Sequence, residues 1–77
     1  MNINRLIPNI CSDRLAESKW FYTELLGFAL AYDSDWYIQV VSPAQPKLEL
    51  GFIRRDHELV PEAYRQLPQG MYLTIVL

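Results

Sequence analysis

The sequence predicts a small α+β domain of 77 residues, in which one main helix packs on a mixed or antiparallel curved sheet. The helical pattern covers residues 13–26, and it is followed by three short segments rich in β-branched and aromatic residues, at 28–32, 36–41 and 47–53. An apolar segment, residues 3–11, precedes the helix. With 51% hydrophobic and 21% charged residues, the chain has the composition of a globular protein. The predicted order of elements is therefore β-α-β-β-β.

The helix over residues 13–26 has recognisable ends. Ser12 or Asp13 can cap its first turn, because a side-chain oxygen can accept the N–H groups that the first turn leaves unpaired. Gly27 follows the last turn, where a residue in the left-handed conformation often ends a helix, and Phe28 can fold back onto that turn.

The first and fourth strands carry more specific predictions. Pro8 lies inside the first strand and has no N–H to donate to a sheet, which favours a sheet edge or a bulge. The fourth strand alternates cleanly, and the apolar residues on its predicted core face are Leu48, Leu50 and Phe52. Glu49 therefore points to the opposite face of the sheet.

The rest of the chain divides into a connection and a final apolar strand. Residues 54–70 are polar and predict a connection with a short helical turn between Pro61 and Pro68. Residues 71–77 predict a fifth strand. An apolar strand without a partner is an association site, so we expect a homodimer.

Composition and charge argue against several classes of protein. A net charge of −2 without a basic stripe argues against nucleic-acid binding. No apolar stretch approaches the roughly 18 residues of a membrane helix, and the first residues do not resemble a signal peptide. Cys11 is the single cysteine, which allows no disulfide within the chain and favours a cytoplasmic location.

A string of residues around the helix resembles a known signature. It consists of Ser12-Asp13 before the helix, Phe21-Tyr22 within it and Leu25-Leu26-Gly27-Phe28 at its end. This string is similar to that of the vicinal oxygen chelate superfamily, which includes glyoxalase I, bleomycin resistance proteins and extradiol dioxygenases. The resemblance covers the whole chain and is most specific over residues 9–28. It implies a fold in which two βαβββ modules pair into a cupped sheet around one site. It further implies that residues 1–53 are one such module and that residues 71–77 are the first strand of a second one.

The resemblance also implies where a catalytic metal would be held. Enzymes of the family bind a divalent metal with about four side chains, on the first, fourth, fifth and last strands. The first position falls near residues 5–7, Arg-Leu-Ile, which cannot bind a metal. Glu49 matches the fourth-strand position, Tyr72 lies where a histidine is usual, and the last position lies beyond Leu77. We therefore expect no metal and no other cofactor.

Polar and aromatic residues of the predicted strands are the candidates for ligand binding. Alternation places Tyr37 and Gln39 on one face of the third strand, and Trp36 and Ile38 on the other. Glu49 is the one candidate for a catalytic residue, although it also fits a solvated strand face. His57 is expected to be exposed in a polar turn. The predicted ligand-binding residues are Asn9, Tyr37, Gln39, Glu49, Tyr72 and Thr74.

Three functions compete at this point. The first is a metal-free module that binds a small planar organic ligand as a homodimer, as the resemblance to bleomycin resistance proteins implies. The second is a metal-dependent lyase or dioxygenase, similar to lactoylglutathione lyase. The third is a truncated half-protein without activity. A ferredoxin-like or dimeric α+β barrel fold is an alternative, but it needs a second substantial helix, and residues 58–67 provide a short one. The missing metal ligands favour the first function.

Overall fold

The chain forms a curved four-stranded mixed sheet with one helix packed on it, in a computed structural model that describes residues 1–76. The strands are β1 (Asn9–Ser12), β2 (Ala29–Asp33), β3 (Tyr37–Val41) and β4 (Glu49–Arg54). The helical segments are α1 (Leu15–Trp20), its π-helical continuation (Phe21–Leu25) and a short 3-10 turn (Glu62–Tyr64). The predicted β-α-β-β-β order and the predicted turn after Pro61 are confirmed.

The strands lie in the order β1-β4-β3-β2, so β1 and β2 form the two edges of the sheet. β1 runs parallel to β4, while β3 is antiparallel to both β4 and β2. α1 lies within the long connection that separates β1 from its parallel partner. The edge position of the first strand, which Pro8 favours, is confirmed.

The first strand is shorter than the predicted segment 3–11, because it begins only after Pro8. Proline has no N–H to donate, so a regular ladder cannot run through it. Its carbonyl still accepts a hydrogen bond from the N–H of Gly51 at 2.8 Å, which ties the start of β1 to β4. The residues before Pro8 follow an irregular path.

The helix begins two residues later than predicted, at Leu15. The Ser12 hydroxyl accepts a hydrogen bond from the Arg14 N–H at 3.0 Å, just ahead of the first turn. Gly27 ends the helix with φ +79°, as predicted, and the Phe28 N–H then donates to the carbonyl of Tyr22 at 2.9 Å. Within the described part of the chain, no helix is long and apolar enough to cross a membrane.

The hydrophobic core lies between the helix and the central strands. Ile38 and Val40 of β3 and Phe52 of β4 are its buried members. The ring of Tyr22, from the helix, lies 4.7 Å from that of Phe52, centroid to centroid. The partly buried residues packed around them are Ile10, Leu15, Phe28 and Leu50. Because strand side chains alternate, the same residues fix which side of the sheet faces away from the helix.

The predicted fifth strand is wrong over residues 71–76, which form no strand, and Leu77 lies outside the described residues. A pattern of apolar and β-branched residues indicates that side chains suit a sheet, but a strand exists only where a neighbouring strand completes its hydrogen bonds. These side chains stay largely exposed, and the large ones are Met71, Tyr72, Leu73, Ile75 and Val76.

Replacing Val40 by alanine should lower the free energy of unfolding by roughly 2–3 kcal/mol, because two buried methyl groups are lost and a cavity remains. Val40 is 0% exposed, whereas Val76 is 87% exposed, so Val76→Ala is a matched control that should change stability by less than about 0.5 kcal/mol. Urea unfolding followed by circular dichroism measures both values. Equal effects of the two substitutions would contradict the core described above.

Candidate functional site

The face of the sheet opposite the helix, which we call the open face, carries the candidate residues of the strands. Asn9 of β1 lies opposite Gly51 of β4, and Gly51 lies opposite Gln39 of β3. Side chains two residues apart on a strand point to the same side of the sheet. Tyr37 therefore shares a side with Gln39, and Glu49 shares it with Gly51. Four of the six predicted residues therefore share the open face.

Gly51 allows two side chains to meet across β4. The hydroxyl of Tyr37 donates a hydrogen bond to Oδ1 of Asn9 at 2.9 Å, and the two groups meet above Gly51. A Cβ at this position would overlap both the carboxamide oxygen and the phenol oxygen. The glycine is thus required for space, as is common where a side chain closely approaches a strand. Burial raises the pKa of Tyr37, so this phenol remains a donor.

Glu49 is held by two neighbours. Nε and Nη2 of Arg5 donate to its two carboxylate oxygens at 2.8 and 2.6 Å, and Nε2 of Gln39 donates to Oε1 at 2.7 Å. The Glu49 side chain is only 8% exposed. Hydrogen bonds from Arg5, the Arg5 charge and the Gln39 amide hold the pKa of Glu49 below its ordinary value of 4.5, against the opposing effect of desolvation. Glu49 is therefore ionised and poorly suited to accept a proton near neutral pH.

A row of aromatic rings continues from Tyr37. The ring of Tyr32 lies 6.0 Å from it and that of Trp36 lies 5.7 Å from it, and the His57 imidazole stacks on Trp36 at 4.0 Å. Two expectations are corrected here. Trp36 lines the same cavity of 580 Å³ as Tyr37, because β3 begins only at Tyr37 and its alternation does not extend to Trp36. His57 is half-buried by the stack rather than exposed.

The two predicted residues of the final segment lie apart from each other. Thr74 lines a groove of 590 Å³ that also contains Arg5 and Glu49, so it lies near the ion pair. Tyr72 is 88% exposed and lines a different cavity, on the helix side of the sheet, together with Phe52. The structure thus brings Thr74, but not Tyr72, to the surroundings of Glu49.

The donor atoms of the open face do not fit a metal centre. Within residues 1–76, no three histidine, cysteine, aspartate or glutamate side chains come together. Both oxygens of Glu49 accept hydrogen bonds from Arg5, and Oδ1 of Asn9 already accepts the Tyr37 hydroxyl. A divalent metal needs several such oxygen or nitrogen atoms free at one point.

Sequence reasoning missed two residues of this site. Arg5 was assigned to the first strand as a residue that cannot bind a metal, and its pairing with Glu49 spans 44 positions, which no local pattern reveals. Gly51 carried a usable signal, because a glycine inside a strand often marks the close approach of another group.

Comparison with known proteins does not identify a family. No protein-family model matches the chain, and no curated protein matches it significantly. The resemblance to the vicinal oxygen chelate superfamily therefore rests on the residues around the helix and on the order of the elements.

Substituting Gly51 by alanine should lower the free energy of unfolding by about 1–3 kcal/mol, because the added methyl group displaces the Tyr37–Asn9 hydrogen bond. In an Asn9→Ala/Tyr37→Leu background, where both obstructing oxygens are gone, the same substitution should cost clearly less. Urea unfolding of the four proteins gives this comparison. An equal cost in both backgrounds would show that the methyl group meets some other obstacle.

Proposed function

We propose that this protein is a metal-free, small-molecule-binding module of the glyoxalase and bleomycin resistance type, which acts as a homodimer. The observation that carries the proposal is the open face, where Asn9, Tyr37, Gln39 and Glu49 lie together beside an aromatic cavity. Binding sites for small molecules typically combine apolar or aromatic walls with a few fixed polar groups. The single thiol of Cys11 suits a reducing compartment, so a cytoplasmic location is part of the proposal.

The family part of the proposal is supported by the order of the elements. One helix lies between the first and second strands and covers one side of the sheet, as a βαβββ module requires. The string that carries the resemblance also has a structural role here, because Gly27 turns the chain so that Phe28 packs beside Tyr22.

The ligand part of the proposal is supported by the groups that the open face presents. Tyr37 and Trp36 offer ring surface on which a planar molecule can stack. The hydrogen bonds of Asn9 and Gln39 use one end of each carboxamide, which leaves the Asn9 amide N–H₂ and the Gln39 carbonyl oxygen for a ligand. A donor and an acceptor on either side of Gly51 can orient a planar amide.

Acridone, a neutral planar lactam with intrinsic fluorescence, should bind saturably and shift the backbone resonances of β3 and β4. Tyr37→Leu should weaken this binding at least fivefold, because the stacking surface is lost. The control is Trp20→Leu, on the exposed outer side of the helix, which should leave the affinity unchanged. Fluorescence titration and ¹H–¹⁵N spectra measure both effects. Absence of saturable binding, or equal losses in both variants, would contradict the proposed site.

The same preparation tests the metal-free part of the proposal. Zn²⁺, Ni²⁺, Mn²⁺ and Fe²⁺ should each leave the melting temperature unchanged, because the open face offers no free set of metal ligands. The assay would detect a bound metal, since a ligand at a hundredfold excess over its dissociation constant stabilises the folded state by about 2.7 kcal/mol. A stoichiometric metal that raises the melting temperature would instead support the lyase or dioxygenase alternative.

The homodimer is supported by the amount of exposed surface. The chain has an accessible surface of 6163 Å². A folded monomer of this mass, 9.0 kDa, exposes about 4,900 Å², so the excess is about 1,300 Å². A stable interface buries about 800 Å² on each partner, and those of obligate dimers are larger. Many exposed apolar side chains lie in the first and last segments, including Ile3, Leu6, Tyr72 and Val76.

Light scattering coupled to gel filtration should therefore give twice the chain mass at micromolar concentration. Tyr72→Ser/Val76→Ser should shift the protein towards the monomer, because these exposed side chains would lose contact with a second copy. Glu62→Ser, on the exposed 3-10 turn, is the control and should leave the dimer intact. A wild-type monomer at this concentration would refute the homodimer.

A further inference from the structure

We infer that the ligand of the open face carries a planar amidinium or guanidinium cation, and that the Arg5 side chain occupies the place of this group. The inference rests on the proposed function, because it names the chemical class of the ligand for the same site.

The two partners of the ion pair are held very differently. Glu49 belongs to β4, its side chain is 8% exposed, and Gln39 of the neighbouring strand fixes one of its oxygens. Arg5 comes from the irregular segment before β1, and its side chain is 60% exposed. The Glu49 carboxylate is thus held within the sheet, whereas the Arg5 guanidinium belongs to a segment that is not part of the sheet.

The geometry selects a planar cation. The Nε–H and Nη2–H groups of Arg5 each donate to a different oxygen of the Glu49 carboxylate. This bidentate arrangement requires two N–H donors that lie in one plane. An ammonium ion is a point charge and cannot present two parallel donors in one plane. An amidinium group has the same planar pair of N–H donors as Arg5, so it can make both hydrogen bonds to Glu49 in place of the guanidinium.

Charge balance argues against an anionic ligand. An anion that bound Arg5 would take it from Glu49 and leave a nearly covered carboxylate without its charged partner, which is costly. A planar cation that displaces Arg5 leaves the carboxylate paired throughout. Tyr37, on the same face of β3 as Gln39, adds aromatic surface that attracts both a cation and an attached ring.

Benzamidine, a small aryl amidinium, provides the test in the full-length chain. Arg5→Ala should bind it at least tenfold more tightly than the wild type, because the competing guanidinium is gone. Arg5→Ala/Glu49→Gln should lose this gain, and benzamide, the neutral analogue, should show none. Arg14→Ala is the matched control, since Arg14 pairs with Glu17 on the exposed helix surface and should not affect benzamidine. Isothermal titration gives the affinities.

A second readout keeps the test decisive if Arg5→Ala does not fold. Titration of wild-type protein with benzamidine should move the side-chain Nε–H resonance of Arg5 from its hydrogen-bonded position towards that of a solvated arginine. An unmoved resonance at saturating benzamidine, or equal affinity of folded Arg5→Ala and wild type, overturns the inference. If acridone still binds in either case, the proposed function stands and only the cationic ligand class fails. If neither compound binds, both proposals fail.

Discussion

The pairing of β4 with both of its neighbours is the constraint on which the two faces of the sheet depend. β4 lies between a parallel partner, β1, and an antiparallel partner, β3. This register places Gly51 between Asn9 and Gln39, so that the Tyr37 hydroxyl can reach across to Asn9. A slip of one residue would turn Phe52 onto the open face and leave a glycine in the core, so one pairing fixes the core and the site together.

The buried core is small in comparison with the exposed surface of the chain. Its buried cluster is Ile38, Val40 and Phe52, while large apolar side chains remain exposed along the first and last segments. Short domains bury a small share of their surface, and association is one way in which they gain stability. The homodimer that we propose would bury part of this exposed apolar surface and add stability that the small core does not supply.

Local patterns in the sequence predict part of this fold. Alternation along β4 predicts that Phe52 faces the helix and that Glu49 faces away, and Gly27 predicts the end of the helix; all three are confirmed. Two features depend on contacts that no local pattern contains. Residues 71–76 have side chains suited to a strand but form none, and Arg5 meets Glu49 only because the folded chain brings the segment before β1 to the start of β4.

The ion pair of Arg5 and Glu49 changes the chemistry that a glutamate at this position of the fourth strand can perform. A free glutamate on the fourth strand could bind a metal or accept a proton, as the resemblance implies for family enzymes. Here a guanidinium occupies both carboxylate oxygens, and the pKa of Glu49 is held below its ordinary value. A general base needs a pKa near the working pH and an accessible lone pair, and Glu49 offers neither. What remains is a fixed negative charge with a planar set of acceptors, which suits the recognition of a planar cation that we propose.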